Sequence, residues 1–146
     1  MPVIPDNLMQ DIRRHAEVTY PDECCGALLG IHDERRGTVR MALPMTNSRA
    51  DSRGRRFLIT PSQYIEAEQS AATHRCDLLG FYHSHPDHPA VPSDFDTAHA
   101  LPALLSVIIS VVRGKAETVS AWILTEDRRR YEEQPIQIRH THVEEG

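Results

Sequence analysis

Gly80-Phe81-Tyr82-His83-Ser84-His85-Pro86, followed closely by Pro92-Ser93-Asp94-Phe95-Asp96, is the stretch whose reading decides this fold. Leu78, Leu79, Gly80, Phe81 and Tyr82 form an apolar run that reads as a buried strand from about Asp77 to His85. Polar, metal-competent side chains stand directly at its end. Successive side chains alternate on a strand, so His83 and His85 share one face with Cα atoms ~6.5 Å apart, while Ser84 points the other way. A Pro-rich loop follows, and Ser93 reads as the N-cap of a short helix. Ser93 and Asp96 are three residues apart, so they share a face over its first turn.

Downstream, Leu104 to Val112 is nearly continuous in Leu, Val and Ile, which predicts a strand covered on both faces. Arg113-Gly114-Lys115 predicts a turn into a further strand, Thr118 to Thr125, which contains Trp122. Arg129 to Arg139 is β-compatible, but Pro135 makes it an edge or broken strand. His140 to Gly146 reads as a frayed end.

Upstream, residues 5–19 predict a helix with Leu8, Ile12 and Ala16 along one face, stopped at Tyr20-Pro21. Asp22-Glu23-Cys24-Cys25-Gly26-Ala27-Leu28-Leu29-Gly30-Ile31 predicts a buried strand. A turn over Glu34 to Gly37 leads into a second strand from Thr38 to Leu43. Pro44 to Gly54 reads as a loop and Arg56 to Ile59 as a short strand. Thr60-Pro61-Ser62-Gln63 is a helix start with a capping box, and the helix should run to about Arg75 with Tyr64, Ala67 and Ala71 inward. The pattern is one α/β (α+β) domain spanning residues 1–146, with a mixed sheet and no repeat or linker.

Composition agrees with an ordinary globular domain: 146 residues, 40% hydrophobic and 25% charged. A net charge of −5 leaves no general basic field for nucleic acid. No apolar run reaches the ~18–20 residues of a membrane span, and the N-terminus lacks the features of a signal peptide. Three cysteines, Cys24, Cys25 and Cys76, make no disulfide framework and no Cys-x-x-Cys metal site. Cys24 and Cys25 read as small buried apolar residues. A soluble protein of the cytoplasm is the expectation.

Two imidazoles on one strand face can converge on one zinc ion at the usual ~2.0–2.1 Å. Asp96 adds a carboxylate. Three protein ligands leave a fourth position open, which is the pattern of a catalytic zinc site. Such a site needs a base, and Glu23, at the mouth of the first buried strand, is a candidate. Each residue also has a plainer use. The histidines suit a surface pair, Ser93 an N-cap, and Asp94 and Asp96 a helix's first turn.

The pattern His83-x-His85, seven residues, Ser93, two residues, Asp96, with Glu23 far upstream, resembles the JAMM (MPN-plus) zinc metalloprotease family. Tyr20 to Gly30 and Phe57-Leu58-Ile59-Thr60-Pro61 also look like segments of its small prokaryotic members, and the likeness covers roughly residues 8–125. The resemblance implies an MPN/JAMM-like domain with a mixed, curved β-sheet flanked by helices. It implies one Zn2+ held by His83, His85 and Asp96. Glu23 would be the general acid/base, moving a proton from the attacking water to the leaving amine, and Ser93 would hydrogen-bond the developing oxyanion.

The family implies hydrolysis of a peptide or isopeptide bond after a C-terminal Gly-Gly. For the short prokaryotic members the substrate is a ubiquitin-like sulfur carrier protein. A Gly-Gly tail would add as a β-strand beside the loops Thr46 to Arg55 and Asp87 to Val91. Arg53, Arg55 or Arg56 would meet an acidic carrier surface. The alternative is an MPN-fold protein-interaction module with a structural or vestigial metal site. A small-molecule zinc deaminase is disfavoured, because its His-x-Glu and Pro-Cys-x-x-Cys elements are missing.

Overall fold

In the computed structural model, residues 1–33, 37–47 and 59–140 are described. Among these residues, three helices and eight strands follow one another as β1 Val3–Pro5, α1 Asp6–Thr19, β2 Cys25–His32, β3 Gly37–Met45, α2 Pro61–Thr73, β4 Asp77–Pro86, α3 Asp94–His99, β5 Leu105–Val112, β6 Lys115–Leu124, β7 Tyr131–Gln134 and β8 Gln137–Arg139. They form an α+β fold around one eight-stranded mixed sheet of order β7-β6-β5-β4-β2-β3-β1-β8. β4–β5, β1–β3 and β1–β8 pair in parallel, and the other neighbours are antiparallel.

β7 and β8 lie at opposite edges of the sheet although only Pro135 and Ile136 separate them in the chain. A two-residue link cannot cross a flat sheet whose strands stand ~4.8 Å apart. The sheet must therefore curl until its edges approach. Pro135 acts as expected, breaking what sequence reads as one strand into β7 and β8.

Helices α1 and α2 each cover one face. Met9, Ile12 and Ala16 of α1 pack with Leu28, Val39, Tyr82, Val107, Ile109 and Val111. Ala67 and Ala71 of α2 pack with Ala27 and Leu29, and Leu78 and Phe81 lean on the same cluster. Since β4 alternates after Gly80, Phe81, His83 and His85 face the α2 side and Tyr82 and Ser84 the α1 side. β4 is central, between β2 and β5, so its far end is a supported position for chemistry.

The local expectations meet these bounds closely. Thr60 caps α2 with the full capping box to Gln63 and with Pro61 in its first turn. β5 is buried along nearly its whole length. Arg113 and Gly114 both have positive φ (52° and 85°), and Val112 pairs with Lys115, the geometry of a tight hairpin turn.

Other expectations shift. β3 continues through Pro44 to Met45 because it pairs with β2 as far as Cys25. α2 ends at Thr73 rather than Arg75, and β6 begins at Lys115. β1 has no counterpart in the sequence reading, since three residues carry no period. The expected strand over 56–59, the turn at 34–36, the loop arginines and the end at 141–146 lie outside the described residues, apart from Ile59, which is not in a strand. Among the described residues no helix is long and apolar enough to cross a membrane.

Candidate metal centre

His83 and His85 sit at the end of β4 with their side chains on one face, as alternation requires. Cys25 pairs with His83 across the antiparallel β2–β4 ladder. The ladder continues one residue past β2: Cys24 N–H donates to Ser84 Oγ at 2.8 Å, and Ser84 N–H donates to the Cys24 carbonyl at 3.2 Å. Continuing that register sets Glu23 opposite His85. Asn47 Nδ2 donates to the Glu23 carbonyl at 3.3 Å, fixing the same segment from the β3 side. Glu23 is 2% exposed. It lines a cavity of about 490 Å³ together with His85, His88, Pro89, Val91 and Ser93.

Asp96 arrives from α3. Ser93 is the N-cap: Asp96 N–H donates to Ser93 Oγ at 3.1 Å, and Ser93 N–H donates to Asp96 Oδ2 at 2.9 Å. The expected helix start is therefore a reciprocal capping box, with an aspartate in the third helical position. That arrangement turns Asp96 Oδ2 toward the histidines. Tyr131 Oη donates to the Asp96 carbonyl at 3.1 Å.

Three donor atoms converge. His83 Nε2 and His85 Nε2 are 3.2 Å apart, and they lie 3.3 and 3.1 Å from Asp96 Oδ2. A tetrahedral ion with ~2.0–2.1 Å bonds separates its donors by ~3.3–3.4 Å, so the spacing matches zinc closely. The protonation pattern matches as well. His85 Nδ1 lies 2.8 Å from the Pro89 carbonyl, which can only accept, so the proton belongs on Nδ1. With the Nδ1 proton so held, Nε2 is the ring nitrogen turned toward Asp96 and His83, the atom through which this imidazole would bind a metal.

Burial, its largest influence, pushes the His83 imidazole below its ordinary value despite the opposing pull of Asp96. Burial alone would raise Asp96. Its interactions with His83, His85 and the Ser93 amide outweigh that and hold the carboxyl well below the usual carboxylate range. A neutral imidazole at His83 and an ionised carboxylate at Asp96 are the states in which such groups bind metal. Among the described residues, this is the one group of three such side chains with converging donor atoms.

The loop between His85 and Ser93 is braced from several directions that spacing does not reveal. Asp87, at φ 57°, accepts from Tyr20 Oη at 2.6 Å and from Arg113 N–H at 2.8 Å. Ser110 Oγ donates to the His88 carbonyl at 2.6 Å. Ser120 Oγ donates to the Ala90 carbonyl and accepts from Trp122 Nε1. Burial pushes the Cys24 and Cys25 thiols up to about 11 and about 12. Neither supplies a thiolate near neutrality, which agrees with their reading as buried apolar residues.

The curled sheet is that of a JAB1/MPN domain. Such a protein from Archaeoglobus fulgidus shares the fold at a TM-score of 0.59 and 16% identity, over 94% of this chain and 98% of that one. Within that class, the sequence pattern of the prokaryotic homologs of the JAB domain matches residues 5–125, and the chain belongs to that family. A solution structure of a protein from Desulfitobacterium hafniense is similar at a TM-score of 0.84 and 27% identity, over 97% of this chain and 94% of that one. A desampylase from Haloferax volcanii is 34% identical over 95 residues, which cover 65% of this chain and 66% of that protein.

Proposed function

We propose that this chain is a zinc-dependent hydrolase. It would cleave the peptide or isopeptide bond after the C-terminal Gly-Gly of a ubiquitin-like protein of the sulfur-carrier kind. The observation that carries the reading is the convergence of His83, His85 and Asp96 beside a cavity lined by both Glu23 and Ser93. The similarity to a desampylase supports a ubiquitin-like substrate, and the three free cysteines suit a reducing compartment such as the cytoplasm.

In this reading His83, His85 and Asp96 hold zinc. When bound, zinc supplies Lewis acidity and an activated water at neutral pH. The Glu23 carboxylate accepts the proton of the attacking water and hands it to the leaving nitrogen as the bond breaks. The Ser93 hydroxyl, whose oxygen already accepts from the Asp96 amide, has its own proton left to donate to the oxygen where negative charge develops. The Pro89 carbonyl holds His85 in one tautomer. The Cys24–Ser84 pair and Asn47 hold Glu23 at its place across from His85.

The test is hydrolysis of a carrier extended by one residue beyond Gly-Gly, followed by mass spectrometry, with zinc content measured on the same preparation. Glu23→Gln should keep its zinc and lose ~10²–10⁴-fold in turnover. Retained zinc with no turnover on any carrier would favour the protein-interaction module instead.

A further inference from the structure

We infer that Arg128 and Tyr131 are positioning residues for Asp96, holding the helix that carries it from its C-terminal side. The inference rests on the proposed metal role of Asp96. α3 has only six residues, far fewer than an isolated helix needs to persist in water. Its last carbonyls have no partners within the helix. Arg128 provides them: Nη1 donates to the Ala100 carbonyl at 2.8 Å and Nη2 to the Thr97 carbonyl at 3.1 Å. A planar guanidinium can bridge two carbonyls at once, and its charge suits the C-terminal end of a helix.

Tyr131 acts at the residue before Thr97: its hydroxyl donates to the carbonyl of Asp96 itself at 3.1 Å, beside the Ala100 N–H at 2.8 Å. The capping box holds the other end. The backbone of Asp96 is thus gripped on both sides while its carboxylate faces the histidines.

The turn that supplies these groups is built to present them. Arg128 has φ 62°, a left-handed conformation uncommon outside glycine. The turn is closed by Arg128 N–H to the Thr125 carbonyl at 2.9 Å and Thr125 N–H to the Arg130 carbonyl at 2.9 Å. Asp127 adds bonds from Thr125 Oγ1 at 2.6 Å and Arg129 N–H at 3.0 Å. Apart from Thr125, the turn lies beyond residue 125, where the match to the family ends.

The experiment compares wild type, Arg128→Ala, Arg128→Lys and Tyr131→Phe. Zinc affinity is read by competition with a chelating dye, and the ligand geometry by the absorption spectrum of the Co2+-loaded protein. Partners that orient metal ligands typically contribute 10–100-fold in affinity, and Arg128→Ala should raise the zinc Kd by about that factor. Tyr131→Phe should raise it less. Arg128→Lys should fall between Arg128→Ala and wild type, because an ammonium cannot span both carbonyls. The metal-free variants should melt close to metal-free wild type.

Unchanged Kd and Co2+ spectrum in the folded variants would overturn the inference. So would a loss of affinity fully matched by a fall in metal-free melting temperature. If Arg128→Ala fails to fold, Tyr131→Phe, which removes one oxygen atom, carries the same comparison. Wild-type protein that takes up no zinc would overturn the metal reading of Asp96 itself, a result the wild-type control separates from the others.

Discussion

The backbone N–H of Cys24 donates to the side-chain oxygen of Ser84 at 2.8 Å, joining two residues 60 positions apart. Ser84 is fully buried and points away from the metal-competent face. Its hydroxyl takes the place of a ladder carbonyl where β2 has already ended, so the β2–β4 pairing reaches one residue further and sets Glu23 against His85. Ser84→Ala leaves a buried N–H without its acceptor, which should destabilise the protein by about 1–3 kcal/mol in urea unfolding. Turnover should fall with it, because the Glu23 segment loses its register. A loss under about 0.5 kcal/mol would show that another group satisfies Cys24.

His15 on α1 lies 2.7 Å from the hydroxyl of buried Tyr82, on the opposite side of β4 from His83. Burial lowers the His15 pKa from its ordinary value, so folding favours the neutral ring. A depressed folded-state value means this contribution is present above the unfolded pKa, ~6.5, and is lost as pH falls through the lower folded value. The melting temperature of wild type minus that of His15→Gln should therefore shrink on acidification from pH about 7.5 to about 5. A gap that stays constant over that range would show that His15 does not titrate there. Taking the difference cancels the other histidines, which both proteins share.

Gly80 pairs with Leu105 where β4 runs parallel to β5. A Cβ at this position would overlap the Leu105 carbonyl oxygen and stand 2.7 Å from the Leu105 nitrogen. Both are backbone atoms, so no rotamer change relieves the clash. Gly80→Ala should pry the two strands apart three residues before His83 and destabilise the fold by at least about 3 kcal/mol. Thermal unfolding checks this, and a loss below about 1 kcal/mol would mean the strand pair yields more easily than its central position suggests.

Much of the site was legible in sequence because its parts are local. Alternation along β4 put His83 and His85 on one face and Ser84 on the other, and Ser93 read as an N-cap with Asp96 on the same face of the first turn. The α2 start at Thr60 and the β5–β6 turn at Arg113-Gly114 were readable for the same reason. The braces around the site were not. Tyr20 to Asp87, Ser110 to His88, and Arg128 to Ala100 and Thr97 join residues 22 to 67 positions apart. Each looks alone like an ordinary polar side chain on a strand or turn. Ser84 lies off the metal-competent face, as alternation requires, but its hydrogen bond to Cys24 needs the partner strand to be visible.

Sequence by itself determined the two halves of the site: a pair of imidazoles fixed by a period of two, and a serine–aspartate pair fixed by the first turn of a helix. Those relations depend only on backbone geometry within a few residues, which the local residue types dictate. Tertiary structure decided that the halves meet, with Asp96 Oδ2 within 3.3 Å of both imidazole nitrogens and Glu23 brought against His85. That outcome depends on strand register, on the order β5-β4-β2 across the sheet and on the turn that grips α3. These are set by packing between distant segments, where no spacing along the chain carries the information.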